Sequence, residues 1–306
     1  MRLAVAASPA VAIPTLQALL KSEYILVRVI SQPDRPAGRG KVLTPTPVSQ
    51  WALDNNIELV RPASSEELRA HIVDIDCVIT IGYGVLLPES LLDIPHYGFL
   101  NLHFSLLPRW RGAAPVQRAI EAGDPVTGVT VFKLDAGMDT GPIFTVHRFA
   151  LDSDITSDEL LIELGELGVG AIFETLEKIE KGERPLAQDN SHATRALKLS
   201  RDEGRIDWTR AAEDVSAKIR AFTSNPGAWT IFRGNSIKIS SPKLASTESL
   251  EERLTPGQIA VISKKVYIGT GTRALEIGEI TSAGKSPTTA YSWANGARLI
   301  AGERCE

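Results

Sequence analysis

The sequence predicts an α/β protein: a mostly parallel sheet with helices on both faces, followed by a small β-barrel. Three observations predict it. Short apolar runs alternate with helix-like segments through the first half, and a long amphipathic segment over residues 156–181 closes that half. The last hundred residues carry short runs rich in Val, Ile and Thr, punctuated by glycines and prolines. At 306 residues the chain exceeds the usual size of one core, so two domains are expected.

Buried strands are read at Leu3 to Ala6, Ile25 to Ile30, Cys77 to Ile81, Phe99 to His103 and Val129 to Leu134. Between them, Val48 to Asn55, Ser65 to Ile72 and Pro115 to Ala122 read as helices, and Ser64 with Glu67 has the spacing of a capping box. Strand and helix in alternation mean βαβ units and a Rossmann-like sheet, which binds ligands beyond the carboxyl ends of its strands. Leu160, Leu164, Leu167, Ile172 and Leu176 mark the closing helix, with Gly182 as its stop. These boundaries predict a first domain over 1–181, a linker over 182–203 and a second domain over 204–306. In the second, a helix around Ala211 to Ala221 precedes short strands at Trp229 to Phe232, Ile237 to Ile239, Gln258 to Ile262, Val266 to Gly269 and Leu275 to Ile280.

Composition is that of an ordinary globular protein, 43% hydrophobic and 23% charged. The net charge of −4 is uneven: 15 Lys and Arg face 12 Asp and Glu in residues 201–306, against 18 and 25 before them. The second half is therefore the one suited to approach phosphates. Cys77 and Cys305 form neither a disulfide framework nor a metal quartet, which fits a reducing compartment. Pro9 and Pro14 interrupt the apolar N-terminus, so it reads as a strand, turn and helix, and no run is long enough to span a membrane.

One strand carries chemistry. In NLHFSLLPRWRG (101–112), side-chain alternation puts Leu100, Leu102 and Phe104 on one face and Asn101, His103 and Ser105 on the other. An Asn can donate to a developing oxyanion, and a His can exchange a proton near neutral pH. The same two side chains could equally satisfy loop carbonyls at a strand end. VTGVTVFKLDAGMDTGPI (126–143) favours chemistry, because Asp139, between Gly137 and Gly141, could orient the imidazole and stabilise its protonated form. An Asn, His and Asp set without a nucleophile suits transfer to a nucleophile that arrives with the substrate. Asp135 reads as a turn former, and no EF-hand spacing follows, so no metal is expected.

SQPDRPAGRGKVLTPTPV (31–48) is a basic loop of 18 residues, longer than most βα connections and rich in Gly and Pro. Val42 after Lys41 breaks the phosphate-loop pattern, which excludes a nucleoside-triphosphate site of that kind.

Taken in order, QPDRPAGRGK (32–41), NLHFSLLPRWRGAAPVQRAI (101–120), AGDPVTGVTVFKLDAGMDTGPI (122–143), KLSRDEGRIDW (198–208) and IRAF (219–222) resemble the methionyl-tRNA formyltransferases over nearly the whole chain. The shorter core, N-x-H-x-S-L-L-P with the D-x-G-x-D-T-G-like bend, resembles the wider group that uses 10-formyltetrahydrofolate. The resemblance implies formyl transfer from that cosubstrate, without a metal, to the amino group of methionyl initiator tRNA. It implies that Asn101 and His103 stabilise the tetrahedral oxyanion and that Asp139 holds His103 and takes part in proton movement. Ser105, Leu106, Leu107 and Pro108 would shape the folate pocket, and Arg35, Arg39 and Lys41 would contact the acceptor stem. It further implies a barrel of the oligonucleotide-binding type, a cytoplasmic location and a monomer.

The chain departs from the family at three places: AASPAVA (6–12) lacks an Asp and a Phe, Phe104 replaces a small residue, and TSNPGAW (223–229) is altered around its Pro and Trp. An aminosugar-nucleotide formyltransferase and a 10-formyltetrahydrofolate hydrolase would carry the same triad. The arginine-bearing loop favours a tRNA end over a small sugar. A glycinamide ribonucleotide formyltransferase would lack the second domain, and a tRNA-binding protein without activity would not need Asn101, His103 and Asp139 together.

Overall fold

Cys77–Ile81 is buried throughout, and Arg2–Ala7 is buried after its first residue. Such strands need cover on both faces, which parallel strands linked by helices supply. The computed structural model describes residues 1–37, 42–246 and 253–306. Seven strands form one sheet in the order Ile143–Ala150, Val126–Lys133, Phe99–His103, Cys77–Ile81, Arg2–Ala7, Ile25–Ile30, Glu58–Val60. The last five are parallel; Val126–Lys133 runs antiparallel to Phe99–His103, and Ile143–Ala150 antiparallel to Val126–Lys133. Ala4, Ala6, Val78 and Phe99 pack one sheet face against Leu68, Ile72, Leu91 and Leu92. Cys77 lies wholly inside this sheet, where burial pushes its thiol up to about 12, so it is inert at neutral pH.

Helix ends follow the sequence signals. Ser64 Oγ accepts from Glu67 N–H at 3.2 Å, and Glu67 Oε2 in turn accepts from Ala63 N–H at 2.7 Å. Thr156 and Glu159 cap the long helix Ser157–Glu180 in the same reciprocal way. That helix stops where expected: Gly182 takes φ 74° and its N–H donates to the Ile179 carbonyl at 2.9 Å.

Two compact units emerge. The first holds Met1–Pro115, Val126–Ala150 and Leu161–Ala196; the second holds Val116–Pro125, Leu151–Leu160 and Leu197–Glu306. Much of the stretch read as a linker is hydrogen-bonded into the first unit: Leu186 bridges Ile143, and Arg195–Ala196 pairs with Arg111–Gly112. Polar residues there do not mark a free connector, because the Gln188 and Thr194 side chains bind backbone of the first unit.

The second unit carries an antiparallel sheet in the order Trp229–Phe232, Asn235–Leu244, Leu275–Ser282, Lys265–Ile268, Ile259–Ile262, with Thr288–Thr289 beside Leu275–Ser282. Its two outer strands are joined by residues 303–306: Ile231 exchanges backbone hydrogen bonds with Glu306, and Ile259 N–H donates to the Glu303 carbonyl. No helix among the described residues is long and apolar enough to cross a membrane.

Candidate active site

Asn101 and His103 leave the middle of the sheet two residues apart and so share a face. Across the ladder Asn101 pairs with Thr80. Its Nδ2 donates to Thr80 Oγ1 at 2.8 Å, while Thr80 Oγ1 donates its one proton to the Leu100 carbonyl at 2.9 Å. The hydroxyl can therefore only accept from the amide, which fixes the amide's orientation. An amide carries two N–H donors, and Thr80 engages one of them.

His103 is only 6% exposed. Its Nε2 lies 2.9 Å from the Trp110 carbonyl, and a carbonyl only accepts, so Nε2 carries the hydrogen and Nδ1 keeps the lone pair of the neutral ring. Nδ1 lies 3.8 Å from Asp139 Oδ2. Burial pushes the imidazole below its ordinary value of 6.5, against the opposing pull of the Asp139 carboxylate and the Trp110 carbonyl. At neutral pH the ring is uncharged and can take a proton, and the imidazolium so formed faces a carboxylate.

Backbone strain assembles this corner. Asp139 has φ 55° and Trp110 φ 65°, both in the left-handed region, which Asp tolerates and a bulky Trp does not. Gly112 donates its N–H to Asp139 Oδ2 at 2.7 Å. Its φ of 122°, and an Ala196 carbonyl oxygen 2.6 Å from where a Cβ would sit, admit only glycine there.

Asn101, His103 and Asp139 lie on the wall of a cavity of about 570 Å³, whose other wall is the loop 82–87. Leu86 on that loop is 85% exposed and Met138 on the facing bend is 68% exposed, although both are apolar. A polar corner between apolar flaps suits a flat, largely apolar ligand that is held at one reacting atom.

Both halves of the chain match models of one family: residues 1–176 match the formyl transferase model, and residues 198–298 match that of the formyl transferase C-terminal domain. The chain belongs to the formyl transferase family. It is 42% identical over 311 residues to the methionyl-tRNA formyltransferase of Thermobifida fusca, and 40% identical over 305 residues to that of Arthrobacter sp., with 99% of each chain covered in both pairs. Its fold is like that of HypX from Aquifex aeolicus, solved in complex with tetrahydrofolic acid. That likeness has a TM-score of 0.72 at 19% identity and covers 99% of this chain but about half (48%) of HypX.

In this formyltransferase the segment 105–108 is not among the residues that line this cavity. The strand ends at His103; beyond it Ser105 is fully buried away from the cavity lining, while Phe104 lines the cavity together with Leu102 of the strand. Ser105 Oγ donates to the Arg109 carbonyl at 2.6 Å, and Thr130 Oγ1 donates to the Ser105 carbonyl at 2.7 Å while accepting from Leu107 N–H at 3.2 Å. The half-buried Leu106 packs over Gly128. Together with Pro108, these residues build the turn that carries the Trp110 carbonyl to His103. Asp135 is a turn former as expected, its Oδ1 accepting from Gly137 N–H and the Thr140 hydroxyl, and it also lines the cavity.

The formyltransferase's basic loop contains a short hairpin, Arg35–Ala37 against Val42–Thr44. Exposed Arg35 donates to Gln32 Oε1 at 2.6 Å, and Gln32 Nε2 donates to the Tyr83 carbonyl at 2.5 Å, so the hairpin's base is tied to the cavity loop. Arg39 and Lys41 lie outside the described residues. Thr80 and the loop 82–87 were missed by sequence reasoning. The signal for both was positional, since Cys77–Ile81 is the parallel neighbour of Phe99–His103 and its carboxyl end flanks the same site.

Proposed function

We propose that this formyltransferase moves the formyl group of 10-formyltetrahydrofolate to the amino group of methionyl initiator tRNA, giving N-formylmethionyl-tRNA and tetrahydrofolate for translation initiation. The observation that carries the reading is the convergence of Asn101, His103 and Asp139 on one cavity, in a chain about 40% identical end to end to proteins named methionyl-tRNA formyltransferase. The folate complex of the HypX relative supports a folate cosubstrate, and the cavity's apolar flaps and polar corner fit one.

The reaction forms a bond from the methionyl nitrogen to the formyl carbon and breaks the bond from that carbon to the folate nitrogen, which gains a proton. Asn101 donates to the formyl oxygen as it takes up charge. His103 accepts the proton of the attacking amine at Nδ1 and returns it to the departing nitrogen. Asp139 stabilises the imidazolium in between and holds Gly112 against the site. Tyr83, Leu86 and Met138 present the surface for the pterin and benzoyl rings.

Arg35, Arg39 and Lys41 meet the acceptor end of the tRNA, mainly through its phosphates. Arg39→Ala is expected to raise the KM for methionyl-tRNA by about tenfold, the loss of one good charged contact, with the KM for the folate unchanged. Steady-state kinetics with each substrate limiting in turn checks this. An unchanged rate at limiting tRNA contradicts the loop assignment.

The reading itself is tested with a 10-formyltetrahydrofolate labelled at the formyl carbon. Label recovered as N-formylmethionine after ester hydrolysis of the tRNA supports it; label recovered only as formate overturns it.

A further inference from the structure

The segment that composition marks as a linker makes a dense set of contacts to the backbone of the active-site corner. Gln188 Nε2 donates to the Asp139 carbonyl at 2.9 Å and to the Gly141 carbonyl at 2.7 Å. Its Oε1 accepts from Arg111 Nε at 3.1 Å and Nη2 at 2.6 Å, and Arg111 Nη2 also donates to Asn190 Oδ1 at 2.7 Å. Six residues on, Thr194 Oγ1 accepts from Trp110 N–H at 2.9 Å, and the Thr194 carbonyl accepts from Arg111 N–H at 2.9 Å.

These contacts fall on the two strained stretches that the site depends on. One is the bend holding Asp139 at φ 55°, and the other is the turn holding Trp110 at φ 65°. A non-glycine residue in the left-handed region costs on the order of 1–3 kcal/mol and persists only where its surroundings over-determine it. Gln188 is the side chain that grips both stretches at once, by the carbonyls on one side and by Arg111 on the other.

We infer that Gln188 is a positioning residue for formyl transfer, whose carboxamide locks the bend so that the Asp139 carboxylate stays against His103 and the Gly112 N–H. The inference rests on the formyl-transfer reading, but its geometry is independent of any acceptor. Gln188 touches no reacting atom and acts through Asp139. The segment 186–196 is thus a brace of the catalytic corner, and its polar composition reflects the carbonyls and N–H groups it must satisfy.

The sign of the effect on His103 follows from charge. Asp139 is the carboxylate facing the imidazole. The other ionisable groups on the cavity wall are Asp135, engaged by Gly137 and Thr140, and Tyr83, whose phenol burial pushes up. Releasing the bend withdraws the Asp139 charge, the imidazolium loses its counter-ion, and His103 titrates at lower pH.

The test uses the full chain with Gln188→Met, which keeps length and neutrality but donates nothing, and Gln188→Glu, which keeps the acceptor for Arg111 but has no N–H for the two carbonyls. The histidine ring resonances are titrated by NMR, with His103 assigned by its absence in His103→Ala, and kcat and KM are measured with methionyl-tRNA. For both variants we expect kcat to fall about 10- to 100-fold with both KM values within about twofold, as for a misplaced catalytic group. In Gln188→Met, His103 should titrate at lower pH than in the wild type. An unchanged kcat, a kcat restored by Gln188→Glu, or a fall in kcat with His103 titrating as in the wild type overturns the inference. Absence of formylation by the wild-type chain instead overturns the functional reading, and the NMR titration still decides whether Gln188 governs the Asp139–His103 pair.

Discussion

Replacing His103 with alanine is expected to lower kcat about 10³-fold while leaving methionyl-tRNA binding within about twofold of the wild type. A positioned general base contributes typically about 10²–10⁴ in rate, and its work is done in the transition state rather than in the bound complex. Two features of the site bear on the magnitude. Burial keeps the ring neutral, so it is poised to accept a proton at pH 7, and the carboxylate of Asp139, 3.8 Å from Nδ1, compensates the charge once the proton has moved. The pH dependence follows from the same facts. Only the neutral ring acts as a base, and its protonation is displaced to lower pH than usual, so activity should persist below pH 6.5 before falling as the ring is protonated. Stopped-time formylation assays across pH 5 to 8 read the acid limb directly. A limb that stays unchanged in His103→Ala would remove this residue from the proton's path.

Asn101→Ala is expected to cost about 10²–10³ in kcat, the usual consequence of deleting one donor to a developing oxyanion. The Thr80 contact makes the effect specific. Because Thr80 gives its own proton to the Leu100 carbonyl, it holds the Asn101 amide group in one orientation. Asn101→Asp keeps the shape but presents a carboxylate to the formyl oxygen, so it should be at least as damaging as alanine. Both variants should keep their KM for tRNA, which is measured in the same assays. A fall in affinity with kcat intact would instead make Asn101 a binding group.

The sheet was legible because its parallel strands are buried on both faces and read as apolar runs: Cys77–Ile81 and Phe99–His103 were found at their observed bounds. Ile143–Ala150 was not, since it is an edge strand whose exposed positions are Val146, Arg148 and Ala150, and Glu58–Val60 is too short to show a period. In the site, Asn101, His103 and Asp139 were visible as unusual groups in a strand and a glycine-rich bend. Their supports were not. The Trp110 carbonyl and the Gly112 N–H are backbone groups that any sequence would offer, and Gln188 acts from 49 residues beyond Asp139. Ser105 is not among the cavity-lining residues, because the regular alternation ends with the strand at His103.

The most direct measurement of the central claim compares methionyl initiator tRNA, methionyl elongator tRNA and an amino-sugar nucleotide as acceptors of the formyl group from 10-formyltetrahydrofolate. The account predicts transfer to the initiator tRNA, with little to the elongator and none to the sugar. Transfer to the sugar nucleotide, or consumption of the folate without an acceptor, would leave the Asn101, His103 and Asp139 corner in place and contradict the function assigned to it.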